Sequence, residues 1–188
     1  LPIPKVYEQV SNVEINASNP EITYIAPVDA PQRTVYFETE LKENQEFMVD
    51  YSFDYHVNYV ELNPDKVSKE QPDFCLEEQA PHIVFTPYLR ELRDELAGDE
   101  TNPIILARRF YDFVTTKVMY SFMREYFTIE CIPEYCAINL KGDCGVQALL
   151  FITLCRMSGI PARWQSGLYA TKYYTGCHDW AQFYVAPY

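Results

Sequence analysis

Lys141-Gly142-Asp143-Cys144-Gly145-Val146-Gln147-Ala148-Leu149-Leu150 is the stretch on which the reading of this 188-residue chain turns. A glycine before Asp143 and another after Cys144 predict a tight turn with room for a close backbone approach. Val146, Leu149, Leu150, Leu154 and Met157 then recur at helical spacing, and Gly159 followed by Pro161 marks the stop. Asp143 takes the N-cap position, so Cys144 falls on the first turn. Free backbone N–H groups and the positive end of the helix dipole gather there. Both favour thiolate over thiol, and the thiolate is the nucleophile.

The second informative stretch is Cys177-His178-Asp179-Trp180-Ala181-Gln182-Phe183-Tyr184-Val185. It reads as a strand on which His178 and Trp180 point opposite to Asp179 and Ala181. If this strand and the Cys144 helix pack face to face, His178 and Cys144 form a base and a nucleophile. A core thiol with a histidine satisfying a core hydrogen bond is the alternative.

Taken in order, Gly142-Asp143-Cys144-Gly145, Leu154-Cys155-Arg156, Gly159-Ile160-Pro161-Ala162-Arg163 and His178-Asp179-Trp180 resemble the transglutaminase-like superfamily. This is the papain-related group of transglutaminases, peptide N-glycanases and bacterial cysteine peptidases. The resemblance covers roughly residues 80–188. It implies an α+β chain whose transglutaminase-like, papain-like core spans residues 73–188, with the nucleophile helix packed on an antiparallel sheet. Carried over by position, Cys144 is the nucleophile and His178 its base. The region ahead of the cysteine helps form the acyl-binding cleft in the family, which makes Tyr120 and Arg124 candidate substrate contacts. Trp164 is a candidate for shielding the thiolate–imidazolium pair. The family orients its histidine with an Asp on the following strand, and this sequence stops at Tyr188 before one. The expectation is therefore a core truncated before its last strand. Asp179 does not substitute, since it faces away from His178. Where the family commonly carries Glu two residues after the Trp, this chain has Gln182.

Composition sets the wider bounds. A hydrophobic content of 48% supports one substantial core or two small ones, and 15% aromatic residues favour strands and deep packing. A formal charge of −12 argues against nucleic-acid and anionic-membrane partners. No apolar run reaches the ~18 residues of a membrane span. The chain opens Leu1-Pro2-Ile3 without a starting Met or signal peptide, so it reads as trimmed, and the compartment stays open. The cysteines at 75, 131, 136, 144, 155 and 177 form neither a disulfide framework nor a standard metal-ligand spacing. Cys131 and Cys136 could pair in an oxidising compartment or stay reduced. No cofactor is implied.

Residues 1–72 read as an antiparallel, sandwich-like β domain. Thr34–Leu41 and a long alternating run from Phe47 to Tyr59 are its clearest strands, joined by a turn at Glu43-Asn44, with a bulge at Tyr59-Val60. Alternation over that run predicts one buried and one wet face. Thr86-Pro87 and Asn102-Pro103 then open two helices with buried stripes at Leu89, Leu92, Leu96 and at Ile104, Ala107, Tyr111, Val114, Val118. The arginines between them read as solvated, and Tyr120–Asn139 as irregular. Trp180 reads as core.

The function expected from all this is a cysteine peptidase or amidase acting on peptide or protein substrates through a thioester. The alternatives are a crosslinking transglutaminase, an inactive binding module on the same fold, and a structural or adhesion module. Oligomeric state is open.

Overall fold

Helix α4, Cys144–Met157, is apolar on every side, and so it lies at the centre of its unit. All residues from Val146 to Arg156 are buried except Gln147, more than the single stripe expected from the sequence. Its C-terminus closes in a Schellman arrangement: Ile160 N donates to Cys155 O (3.0 Å) and Gly159 N to Arg156 O (3.0 Å). Gly159 sits at φ +72, where a side chain would be strained, and Pro161 follows.

In this computed structural model, which describes residues 1–188, the chain is α+β and divides into two compact units, Leu1–Val60 and Glu61–Tyr188. The division falls ahead of the expected boundary at 72 for a physical reason. Residues past Val60 bond to the C-terminal segment of the second unit. Asn63 N donates to the Tyr188 hydroxyl, which donates back to Asn63 O (2.9 and 3.0 Å), and Gln71 brackets the Ala186 peptide.

The first unit consists of two antiparallel pairs. Strand β1 (Val10–Asn19) pairs with β4 (Met48–Tyr55), and β2 (Tyr24–Ile25) with β3 (Val35–Tyr36). The expected partnership of residues 34–41 with the 47–59 run does not form. The turn at Asn44 is present, in the left-handed region at φ +59, but the chain arriving there pairs around Thr34–Tyr36, with β2 and with the N-terminal residues Leu1–Ile3. The alternating run is a strand only to Tyr55, and the irregular registers lie within the β1–β4 pairing, not at Tyr59-Val60. Nor is its apolar face fully covered: Val49 and Tyr51 are half-buried, whereas Phe53 and Tyr55 are exposed.

In the second unit α1 (Pro87–Ala97), α2 (Pro103–Lys117) and α3 (Ile132–Asn139) surround α4 on one side. Thr86 and Asn102 cap α1 and α2 as their sequence predicts. The buried stripe of α2 runs through Leu106, Ala107, Phe110 and Val114, so Phe110 takes the place expected of Tyr111, which is exposed. Helix α3 corrects the expectation of an irregular 120–139 segment. Arg93 and Arg109 are not merely solvated: they donate to Met157 O and Ala97 O, at the C-termini of α4 and α1, where cations are favoured.

Against α4 on the other side lies an antiparallel hairpin, β7 (Ala162–Ala170) and β8 (Thr175–Phe183). Buried Arg156 ties helix to hairpin, donating to Ala162 O (2.8 Å) and Glu77 O (2.7 Å). Ahead of α4, β5 (Met119–Tyr120) pairs in parallel with β6 (Lys141–Gly142), which sets Tyr120 beside the cysteine turn.

Candidate active site

Asp143 fixes the start of α4. Its Oδ1 accepts from Val146 N (3.0 Å) and from the Tyr126 hydroxyl (2.5 Å). Gln147 adds a bond to Gly142 O (2.9 Å). Cys144, half-buried, is thereby held on the first helical turn, as its sequence predicts. Burial, reinforced by the bond to Asp143, pushes the Tyr126 phenol well above its ordinary value.

The two glycines of the motif are required by close approach of the chain's own side chains. A Cβ at Gly142 would lie 2.5 Å from Val146 Cγ1. One at Gly145 would lie 3.0 Å from Asp179 Oδ2 and from the Trp164 ring, and closer still to the Tyr126 hydroxyl. Trp164, Asp179 and Tyr126 thus converge on the first turn. Trp164 Nε1 donates to Asp179 Oδ1 (3.2 Å), and its ring meets Tyr126 edge-on at 6.4 Å. The β5–β6 pairing brings the hydroxyl of Tyr120, an exposed residue, near the Cys144 thiol. Burial of that hydroxyl, then the thiol and Asp143, raise the Tyr120 phenol.

Of the residues singled out in the sequence, Cys144, Tyr120 and Trp164 come together. Arg124 does not join them: its guanidinium stacks over Tyr135 at 5.8 Å and lines a separate cleft with Glu130 and Glu134. His178 does not reach Cys144 either. It lies opposite Gly167, with its ring 5.8 Å from Tyr169 and 6.0 Å from Trp180, on the face of the hairpin turned away from α4. The predicted alternation along β8 holds, but Asp179 and Ala181 take the helix side. Trp180, expected in the core, is 39% exposed over Gly167. Tyr126 and Asp179 are the neighbours that sequence reasoning missed. Asp179 was legible only as the residue opposed to His178, and Tyr126 only as one of several aromatics in its segment.

Two of the other thiols, Cys136 and Cys155, are buried outright. All six cysteines are free, including Cys131 and Cys136. Burial, with Asp143 nearby, pushes Cys136 up to about 12, and burial alone raises Cys155 further. Both are held as neutral thiols. No three His, Cys, Asp or Glu side chains stand close enough together to hold a metal ion. No helix is long and apolar enough to cross a membrane.

This arrangement sets a half-buried cysteine at a helix N-terminus capped by Asp143, with Tyr126, Trp164 and Asp179 packed against the next residue of the first turn. Residues 90–188 match the model of the transglutaminase-like superfamily, and the chain belongs to that superfamily. Its fold is also similar to that of a proposed cysteine protease from Cytophaga hutchinsonii, with a TM-score of 0.60 at 16% identity. That likeness covers 97% of this chain and 65% of that one, so the chain spans about two thirds of that protein's length. No curated protein matches it.

Proposed function

We propose that the chain performs cysteine-dependent acyl transfer on peptide or protein amides, hydrolysing them through a thioester, with Cys144 as nucleophile and His178 as base. The observation that carries this reading is Cys144 itself: a half-buried thiol on the first turn of α4, while the buried thiols of Cys136 and Cys155 are held neutral. In the reaction, Sγ attacks the amide carbon and the oxyanion takes the Cys144 backbone N–H. His178 delivers a proton to the leaving nitrogen as the C–N bond breaks, and water then releases the acid from the thioester. Tyr120 and Trp164 would line the acyl cleft. On the same reading the second unit is a papain-like core, and the β pairs of the first belong to a sandwich-like accessory domain.

For His178 to serve as base, β8 must present its other face to α4. A one-residue change of register does this, because side chains alternate with a period of two. The outward placement of His178 favours a second reading, in which the fold is a binding module whose cysteine is not used. Iodoacetamide labelling of Cys144 against pH, resolved by peptide mass spectrometry and repeated in His178→Ala, separates the two. Rapid labelling well below the free-thiol value of about 8.5, lost in the variant, is the result expected of an enzyme. An ordinary thiol titration that the substitution leaves unchanged would favour the binding module. If turnover is found, an amine-dependent isopeptide product would mark a transglutaminase in place of a hydrolase.

A further inference from the structure

At the end of the β7–β8 hairpin remote from its turn, a cleft of about 550 Å³ opens between the hairpin and the loop at Phe74-Cys75. Its walls are mainly apolar: Phe74, Pro161, Phe183 and Tyr184, with the Phe74 and Tyr184 rings 5.8 Å apart. Arg163 and Gln182, paired across the hairpin, supply the polar side. Gln182 Oε1 accepts from Arg163 Nε (3.0 Å), which turns the guanidinium without neutralising it.

The charge balance is unusual. The chain carries 27 acidic and 15 basic side chains, yet Arg163 pairs with no carboxylate, and no Asp or Glu lines the cleft. In the other large cleft, by contrast, Arg124 is accompanied by Glu130 and Glu134. Arg163 is exposed at the mouth of the cleft, and with Nε bonded to a neutral amide its two terminal nitrogens face solvent, open to an acceptor from outside the chain. A guanidinium meets a carboxylate through two parallel N–H bonds, and the Gln182 amide nitrogen can add a third.

The floor is rigid. Arg156 anchors Ala162 O and Glu77 O from below, and Ala162 N donates to Cys75 O (3.3 Å), so the loop is fastened to the strand it faces. Apolar walls of this volume with a few fixed polar groups suit a small ligand. We infer that this cleft is a binding site for a small apolar carboxylate, its chain lying between the Phe74 and Tyr184 rings and its acid group held by Arg163 and Gln182. The site is separate from the chemistry at Cys144, so either proposal can fail without the other.

The test is calorimetric titration of the whole chain with 4-phenylbutyrate and with its neutral isostere 4-phenylbutyramide. The acid binds one-to-one, about tenfold or more tighter than the amide, and Arg163→Met brings it down to the level of the amide. Equal affinities for the two, no binding of the acid at millimolar concentration, or undiminished binding in a folded Arg163→Met protein would overturn the site. Should that variant not fold, amide-proton shifts in the unmodified protein decide. Shifts at Phe74, Arg163 and Tyr184 that the acid produces and the amide does not support the site; their absence overturns it.

Discussion

Helix α4 and strand β8 carry the two residues that the sequence pairs as nucleophile and base, and they are fixed in different ways. The helix is buried nearly all round, capped by Asp143 at one end and closed by Gly159 at the other. Its first turn is oriented by the Asp143 cap and by side chains packed closely on Gly142 and Gly145, so Cys144 has one place to be. The strand holds Cys177, Asp179, Ala181 and Phe183 on one face and His178, Trp180 and Gln182 on the other. Neither face is uniformly apolar, and hydrophobic burial discriminates weakly between them. What holds the observed face inward is local: Trp164 packed over Gly145 of α4 and edge-on against Tyr126, and Phe183 stacked edge-on against Phe151 at 5.8 Å.

This contrast can be broken first at the helix. Leu154→Ala removes a fully buried side chain and should cost about 2–5 kcal/mol in denaturant unfolding. A loss below about 1 kcal/mol would show α4 less tightly enclosed than its burial indicates. Alkaline pH probes the same core. The Cys136 thiol, raised from 9.0 to about 12, is neutral when folded and ionises more readily when unfolded. Its contribution is fully present below pH 9 and disappears as pH rises toward about 12. The melting temperature should therefore fall across that window, and less steeply in Cys136→Val. Loss of the cap comes next: Asp143→Ala should cost about 0.5–2 kcal/mol and slow Cys144 labelling, since the first turn that carries the thiol frays.

The strand should respond more mildly, and its response tells which face is inward. Trp180→Ala should cost only about 0.5–1 kcal/mol, as expected for a half-exposed ring. In a Trp180→Phe background the remaining indole is Trp164, whose N–H is bonded to Asp179. Asp179→Ala should shift its fluorescence emission and His178→Ala should leave it in place. The reverse pattern would put His178 on the helix side, as the proposed catalytic arrangement requires.

Much of the second unit could be read from the chain alone, because its signals are local. Thr86-Pro87, Asn102-Pro103 and Asp143 supply their own capping atoms within a few residues, and the hairpin of β7 and β8 follows from two strand-like runs about a polar turn. The first unit was less legible. Its strongest alternating run has its partner at residues 10–19, with much of the unit between them, and nothing near the run names that partner. The place of Cys144 on the first turn of α4 was legible from its neighbours along the chain, whereas Tyr120 was named only through the family resemblance. Arg124 was misplaced because a nearby Tyr135 ring and two glutamates hold it in another cleft.

The sequence by itself determined the helix, its caps, the cysteine on its first turn and the alternation of β8, since each depends on atoms only a few residues apart. Tertiary structure decided which face of β8 meets that helix. The choice rests on contacts made across the fold by Trp164 and Phe151, because alternation along a strand settles which side chains share a face but not which way that face turns.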